Sequence, residues 1–499
     1  MNTTRRQLLA SAGTTALIAS LGNDLFALPR FSHFTSSVDD ELHLGRLEPL
    51  AQLLQEVKPA ELLPQLVGLL RSGTSLEHLV SAGALANARS LGGTDYEGYH
   101  AFMAMWPALA ISRELPLADQ PLPVLKTLKR SALRMRSAGS SRLKRVDGLA
   151  GNPRTALHRG DLRAAEQALA ASGKGGPEEA WRALQPVITD DIEVHLVVFA
   201  WRAKEISDLA GPEHAVTCMR QILHFADARE AGRRRDRRPD PPVRSVVPAL
   251  LDAHGLLDGE LGMRDPGAER VSKLADLLAS SSRDEGAAAA ATALAQGFDP
   301  RSVGEALSLA STRLLLRDSG RTEAYKGRPI GSVHGAGTGV HASDSALAWR
   351  EIAASVQGVQ RATALIAGAF HTAGQGNYVG KRLYPFAEHR EATSQVAVAR
   401  LGGALSEAVR GGHQARAGAI AARMNELDLD EKAFEVLRPI AVAQDGALHS
   451  EKYQHTSRVV HGLARRAFRQ EHLIAFARVV ASQACAQAPE VAEARELLG

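Results

Sequence analysis

Aromatic residues make up only 4% of this chain, and cysteine occurs twice, at Cys218 and Cys485. Strands favour aromatic and β-branched residues, whereas alanine and leucine, abundant here, favour helix. No Cys-x-x-Cys pair occurs, so a thiolate zinc site or redox dithiol is unsupported. The two cysteines sit far apart in apolar helical text and read as buried free thiols. An excess of one sign of charge is also lacking: the formal net charge is only +4. The run Arg229 to Arg244 alone carries seven arginines against Glu230, Asp236 and Asp240. The remainder is close to neutral, which argues against a nucleic-acid binder with a basic face. No HExxH and no G-x-S-x-G occurs, so a zincin-type protease and a serine acyl-transfer elbow lack support. Glycine is plentiful in Gly331–Gly339, but Val340 stands where the dinucleotide fingerprint needs glycine. Gly380-Lys381 resembles the end of a phosphate-binding loop, yet Gln375 replaces its first glycine and Arg382 its Ser/Thr. No nucleotide-binding motif remains.

What is present is helical text. Hydrophobic residues at 45% supply a sizeable core for a chain of this length. Ser75 is placed to cap Leu76–Ser90, with Gly92-Gly93 ending that helix, and Thr94 or Asp95 caps the next. Asp299 caps Ser302–Arg317. Ile192–Phe199 is the best strand candidate, but its continuation into Ala200–Ile206 favours a buried helix. The pattern predicts an all-α fold of antiparallel helix pairs, forming one large or two similar helical domains. The halves would be 31–230 and 244–499, joined by an exposed Arg/Pro-rich linker or loop at 231–243. EVHLVVFAWRAKEI (193–206) and VHASDSALAWREI (340–352) share the order His…Ala-Trp-Arg…Glu-Ile, which suggests a repeated helix-pair unit.

Residues 1–30 open with Arg5-Arg6, then Leu8-Leu9 and an apolar run to Leu21. This stretch resembles a bacterial twin-arginine export signal, although Leu8 stands for the usual Phe and Ala10 for the usual Lys. The resemblance implies export to the periplasm or beyond, the twin-arginine export machinery as a partner, and no membrane span once the signal is removed. That route carries folded proteins, often with a cofactor already inserted.

Eighteen histidines occur, and three share one local design. His100, His195 and His341 each open or occupy an apolar helix. Asp191 lies four residues before His195 and Asp344 three after His341, spacings that bring side chains to one helix face. A carboxylate beside an imidazole fixes its tautomer and raises its basicity, which suits metal ligation and general-base catalysis alike. The expected centre gathers His100, His195 and His341 as ligands of iron or zinc, with Asp191 and Asp344 orienting the rings. His334, in the glycine-rich loop, and His449 and Glu451, at a helix start, are further candidates; Glu451 and His455 share a helix face. Satisfied core histidines are the alternative reading for all of them.

The segments around His195 and His341 resemble the questin oxidase-like family, all-helical proteins with histidines opening apolar helices. That resemblance implies oxygen-dependent chemistry on a small organic molecule. The expectation is an exported cofactor- or metal-assisted oxidoreductase with a histidine-lined pocket. A non-enzymatic helical scaffold or binding protein is the alternative, and a metal-dependent hydrolase using the same ligands is a third.

Overall fold

The computed structural model describes residues 42–138, 142–325, 328–335, 338–444, 448–483 and 487–499. The export-signal segment 1–30 and Cys485 lie outside them. Among the described residues every regular element is a helix, and extended pairing is limited to isolated bridges such as Asp318 with Val379. The fold is all-α. Local chemistry sets several boundaries. Ser75 accepts from the His78 N–H, Asp95 from Gly98 and Asp299 from Arg301, each at a helix start. These side chains satisfy backbone donors that the first turn leaves open. Gly92, at φ 58°, closes Leu76–Leu91 in the left-handed conformation that suits a residue without Cβ. Residues 194–210 are helical throughout, so the β-branched run there is a buried helix. No helix among the described residues is long and apolar enough to cross a membrane.

The Arg/Pro-rich run does not divide the core. One apolar cluster extends from Leu44 through Trp181 and Phe199 to Trp349 and Phe370, on both sides of 231–243. A second, in the C-terminal half, gathers Leu405, Phe434, Leu473 and Phe476. Ala231–Arg235 complete the helix Ala215–Arg235, and an exposed turn follows. The expected linker is pinned rather than free: the buried Glu230 pairs with both Arg233 and Arg244, and Arg244 reaches Asp190 at 2.8 Å. The buried Glu230 and Asp190 offset the repulsion among the arginines.

Four helices form a closed ring at the centre. Tyr96–Ser112 packs on Val194–Ala210, which packs on Val340–Ser355; that helix meets His449–Leu463, which returns to Tyr96–Ser112. Each begins at, or within a turn of, a histidine: His100, His195, His341 and His449. Four N-termini therefore meet at one place.

His472 lies apart from this ring. His472 is buried, its Nδ1 is 2.9 Å from the Thr312 hydroxyl, and burial pushes it down to about 3. The unfolded chain binds a proton at His472 from pH about 6.5 downward, whereas the folded chain does not until about pH 3. Stability from this group is full above the unfolded value and falls with pH, by about 1.4 kcal/mol per unit. We expect the melting temperature to drop between pH 6.5 and 5, above the range where most carboxylates titrate. The drop should be shallower in His472→Met; equal slopes would refute this account.

Candidate metal centre

The first ligand position comes from the helix Tyr96–Ser112. His100 Nδ1 lies 2.7 Å from the Tyr96 carbonyl, one turn back, and donates its proton there. Its Nε2 is thereby left as the lone-pair nitrogen, and that atom is buried with no hydrogen-bond partner. An orphaned buried acceptor costs free energy unless something occupies it.

His341 is placed by the glycine-rich loop. The His341 N–H donates to the Gly335 carbonyl at 2.9 Å and the Val340 N–H to the His334 carbonyl at 3.2 Å. Gly339 makes this crossing possible, because a Cβ there would sit 1.7 Å from the His334 oxygen. The loop is thus a start cap for the His341 helix. Gly339→Ala is expected to cost about 1–3 kcal/mol through overpacking and to weaken any ligand held by His341. A melting temperature equal to wild type would contradict this role.

His449 opens its helix directly behind Leu448, which holds a left-handed backbone at φ 62°. Such a conformation is strained for a branched side chain and is often found at ligand sites. His449 Nε2 and His341 Nε2 are 2.9 Å apart. Together with His100 they offer three ligand atoms within 4.8 Å of one another, all buried. A tetrahedral ion holds its nitrogens roughly 3.4 Å apart, so small ring rotations close the set.

His195 completes a square of imidazoles. Ring centroids are 4.8 Å apart for His100–His195, 5.0 Å for His195–His341, 5.1 Å for His341–His449 and 5.4 Å for His449–His100. The three histidines selected from sequence therefore converge. The three-ligand group, however, takes His449 where the sequence suggested His195. Glu193 sets the orientation of His195: its Oε1 is 2.7 Å from His195 Nδ1, and its Oε2 accepts the Leu196 N–H at 2.9 Å. One carboxylate thus caps the helix and fixes the ring. His195 Nε2 is buried without a partner, like that of His100.

The expected orienting carboxylates are otherwise engaged. The helix starts at Val194, so Asp191 lies before it and the four-residue spacing does not stack; Asp191 pairs with Arg229 at 2.6 Å instead. Asp344 accepts from Thr456 at 2.8 Å. Glu451 faces away from the centre and pairs with the buried Lys126. His455 approaches Glu205 at 3.9 Å rather than sharing a site with Glu451. Glu193 was legible only as an acidic residue ahead of an apolar helix, the position of a cap.

Electrostatics favour neutral imidazoles. Burial first, and then the Lys452 charge, lower His100, His341 and His449, the last two well below the ordinary histidine value. The positive ends of four helix dipoles act in the same direction. Burial itself pulls Lys452 down to about 8, while Asp344 opposes that shift. Burial raises the Glu193 carboxyl, but His195 and Arg229 overcome it and hold Glu193 below the usual carboxylate range.

A cavity of about 980 Å³ opens over His100, His341 and His449. His334 stands in its wall, stacked on Tyr378 at 3.9 Å between centroids and 3° between planes. Its Nδ1 lies 2.7 Å from the fully buried Asp318, which also accepts the His334 and Gly320 N–H groups at 2.8 Å. His334 is thus a carboxylate-backed imidazole apart from the ligand group. Asp318 carried no signal in the sequence, since it lies 16 residues away.

Comparison with protein-family profiles, curated proteins and solved structures finds no match for this chain.

Proposed function

We propose that the protein is a metal-dependent enzyme, an oxidoreductase, with His100, His341 and His449 holding a transition metal at the floor of the cavity. The observation that carries this reading is the convergence of three buried imidazoles beneath a cavity large enough for a small organic molecule. Two unpartnered buried nitrogens, on His100 and His195, lie in adjacent rings at the same spot, where one ligand could satisfy both. Three neutral nitrogen ligands suit iron or zinc and leave coordination positions open toward the cavity. His195, fixed by Glu193, stands beside those positions as a fourth ligand or a proton acceptor. His334, backed by Asp318, is a second proton carrier at the wall.

Iron is the metal for oxygen-dependent chemistry, and zinc the metal for hydrolysis with the same ligands. The export signal read at Arg5-Arg6 belongs to the same proposal. A centre assembled from four distant segments exists only in a folded chain, and the twin-arginine route carries folded chains. The test is metal analysis of the purified full-length protein. One equivalent of iron supports the oxidoreductase reading, one of zinc moves it to a hydrolase, and failure to take up iron, zinc or cobalt returns the histidines to a structural role.

A further inference from the structure

The wall of the same cavity carries charge that the metal does not explain. Four arginines line it: Arg130, Arg134, Arg321 and Arg328. Two of them face carboxylates. Arg130 is paired with Glu490 at 2.9 Å, while Arg134 is bonded to Asp95 and lies 3.7 Å from Glu97. These pairs match the acidic residues of the wall, Glu97 and Glu490. Arg321 differs. Its Nη1 donates to the Val333 carbonyl and lies 3.4 Å from the Ser332 hydroxyl. Among the described residues it forms no ion pair with a carboxylate. The nearby buried Asp318 acts on Arg321 through space, while its oxygens bond His334 and two backbone N–H groups. One backbone carbonyl and the Ser332 hydroxyl thus hold the guanidinium near the stacked His334 and Tyr378, with no carboxylate in contact with it among the described residues.

We propose that Arg321 is the anion-recognition group of the cavity, and that the substrate carries a carboxylate which docks on it. This rests on the metal-enzyme reading for its location and deepens it by naming the substrate class. A guanidinium fork matches a carboxylate in shape and charge. Burial lowers Arg321 but leaves it a cation at any ordinary pH. The cavity floor adds no negative charge: its ligands are neutral imidazoles and four helix N-termini point their positive ends toward it. A neutral molecule would leave the Arg321 fork with no anion in contact inside a partly enclosed space. The His334–Tyr378 stack supplies a flat face on which the apolar part of such an anion can lie.

The test is a fluorescence titration of the full-length protein, with and without prior removal of metal by chelation. The probes are 2-naphthoate and its neutral analogue 2-naphthalenemethanol. Wild type should prefer the naphthoate by about tenfold or more, the worth of one charge-assisted contact. Arg321→Met should abolish that preference while leaving 2-naphthalenemethanol binding unchanged. Arg321→Lys, which keeps the charge without the fork, should retain part of the preference and covers the case in which the methionine variant does not fold. The absence of any preference in wild type overturns the proposal, as does a preference that survives in Arg321→Met. A preference that persists in metal-free protein keeps the carboxylate subsite even if the centre never takes up metal, so the two readings fail separately.

Discussion

Purified His449→Ala protein is expected to bind metal more than about 100-fold more weakly than wild type. The magnitude has a floor: residues that only orient a ligand cost 10–100-fold when removed, and a ligand must cost more. His341→Ala should behave alike, because its Nε2 and that of His449 are 2.9 Å apart and face the same point. The informative contrast is His195→Ala. His195 lies beside the three-ligand group rather than in it, so that variant should keep its stoichiometry of metal and lose far less affinity. Equilibrium dialysis against cobalt, with the visible spectrum as a reporter of geometry, separates the cases. Equal losses for all three variants would mean a four-histidine site. No loss in His449→Ala would remove that residue from the centre.

The second large effect is on stability. Lys126 and Glu451 are both fully buried and pair across the helices Pro121–Ala138 and His449–Leu463. Lys126 also donates to the carbonyls of Val442 and Gln444, at 2.6 and 3.0 Å. Among the described residues Glu451 has no other hydrogen-bond partner. Glu451→Ala strands an ammonium in the core and is expected to cost about 3–5 kcal/mol, read by chemical denaturation. The double variant Lys126→Met/Glu451→Met removes both charges and should recover most of that loss. If the single and double variants are equally unstable, the pair contributes through shape rather than charge. Because Glu451 follows His449 by two residues, the single variant should also loosen the centre.

Much of the architecture was legible because it is local. Ser75, Asp95 and Asp299 cap helices for reasons contained in a few residues, and the alanine-rich spacing leaves little alternative to helix. The repeated order around His195 and His341 marked two rings that do meet. What was not legible depended on where a helix starts or on distant chain. The helix starts at Val194, beyond Asp191, which keeps Asp191 off the His195 face and hands that role to Glu193. Asp344 has the right spacing from His341, but Thr456, 112 residues away, takes its oxygen. His449 reaches His341 across 108 residues, a distance that no periodicity encodes. The arginine run at 231–243 read as an exposed linker or loop; composition names Glu230 but does not register that it is buried beneath the run.

The closed ring of four helices has a consequence for the order of assembly. Its histidines come from four segments spread along most of the sequence, and contacts of such long separation form late because loop closure must precede them. No half of the molecule contains the complete ligand set. On the proposed reading, a metal ion would find its site only after these distant segments have met. A metal bound there would tie the helix Tyr96–Ser112 to the helix His449–Leu463 at their origins. Occupancy would then act as a clasp on the finished structure. Its release would be felt as lowered resistance to unfolding across the whole chain, not at one pocket alone.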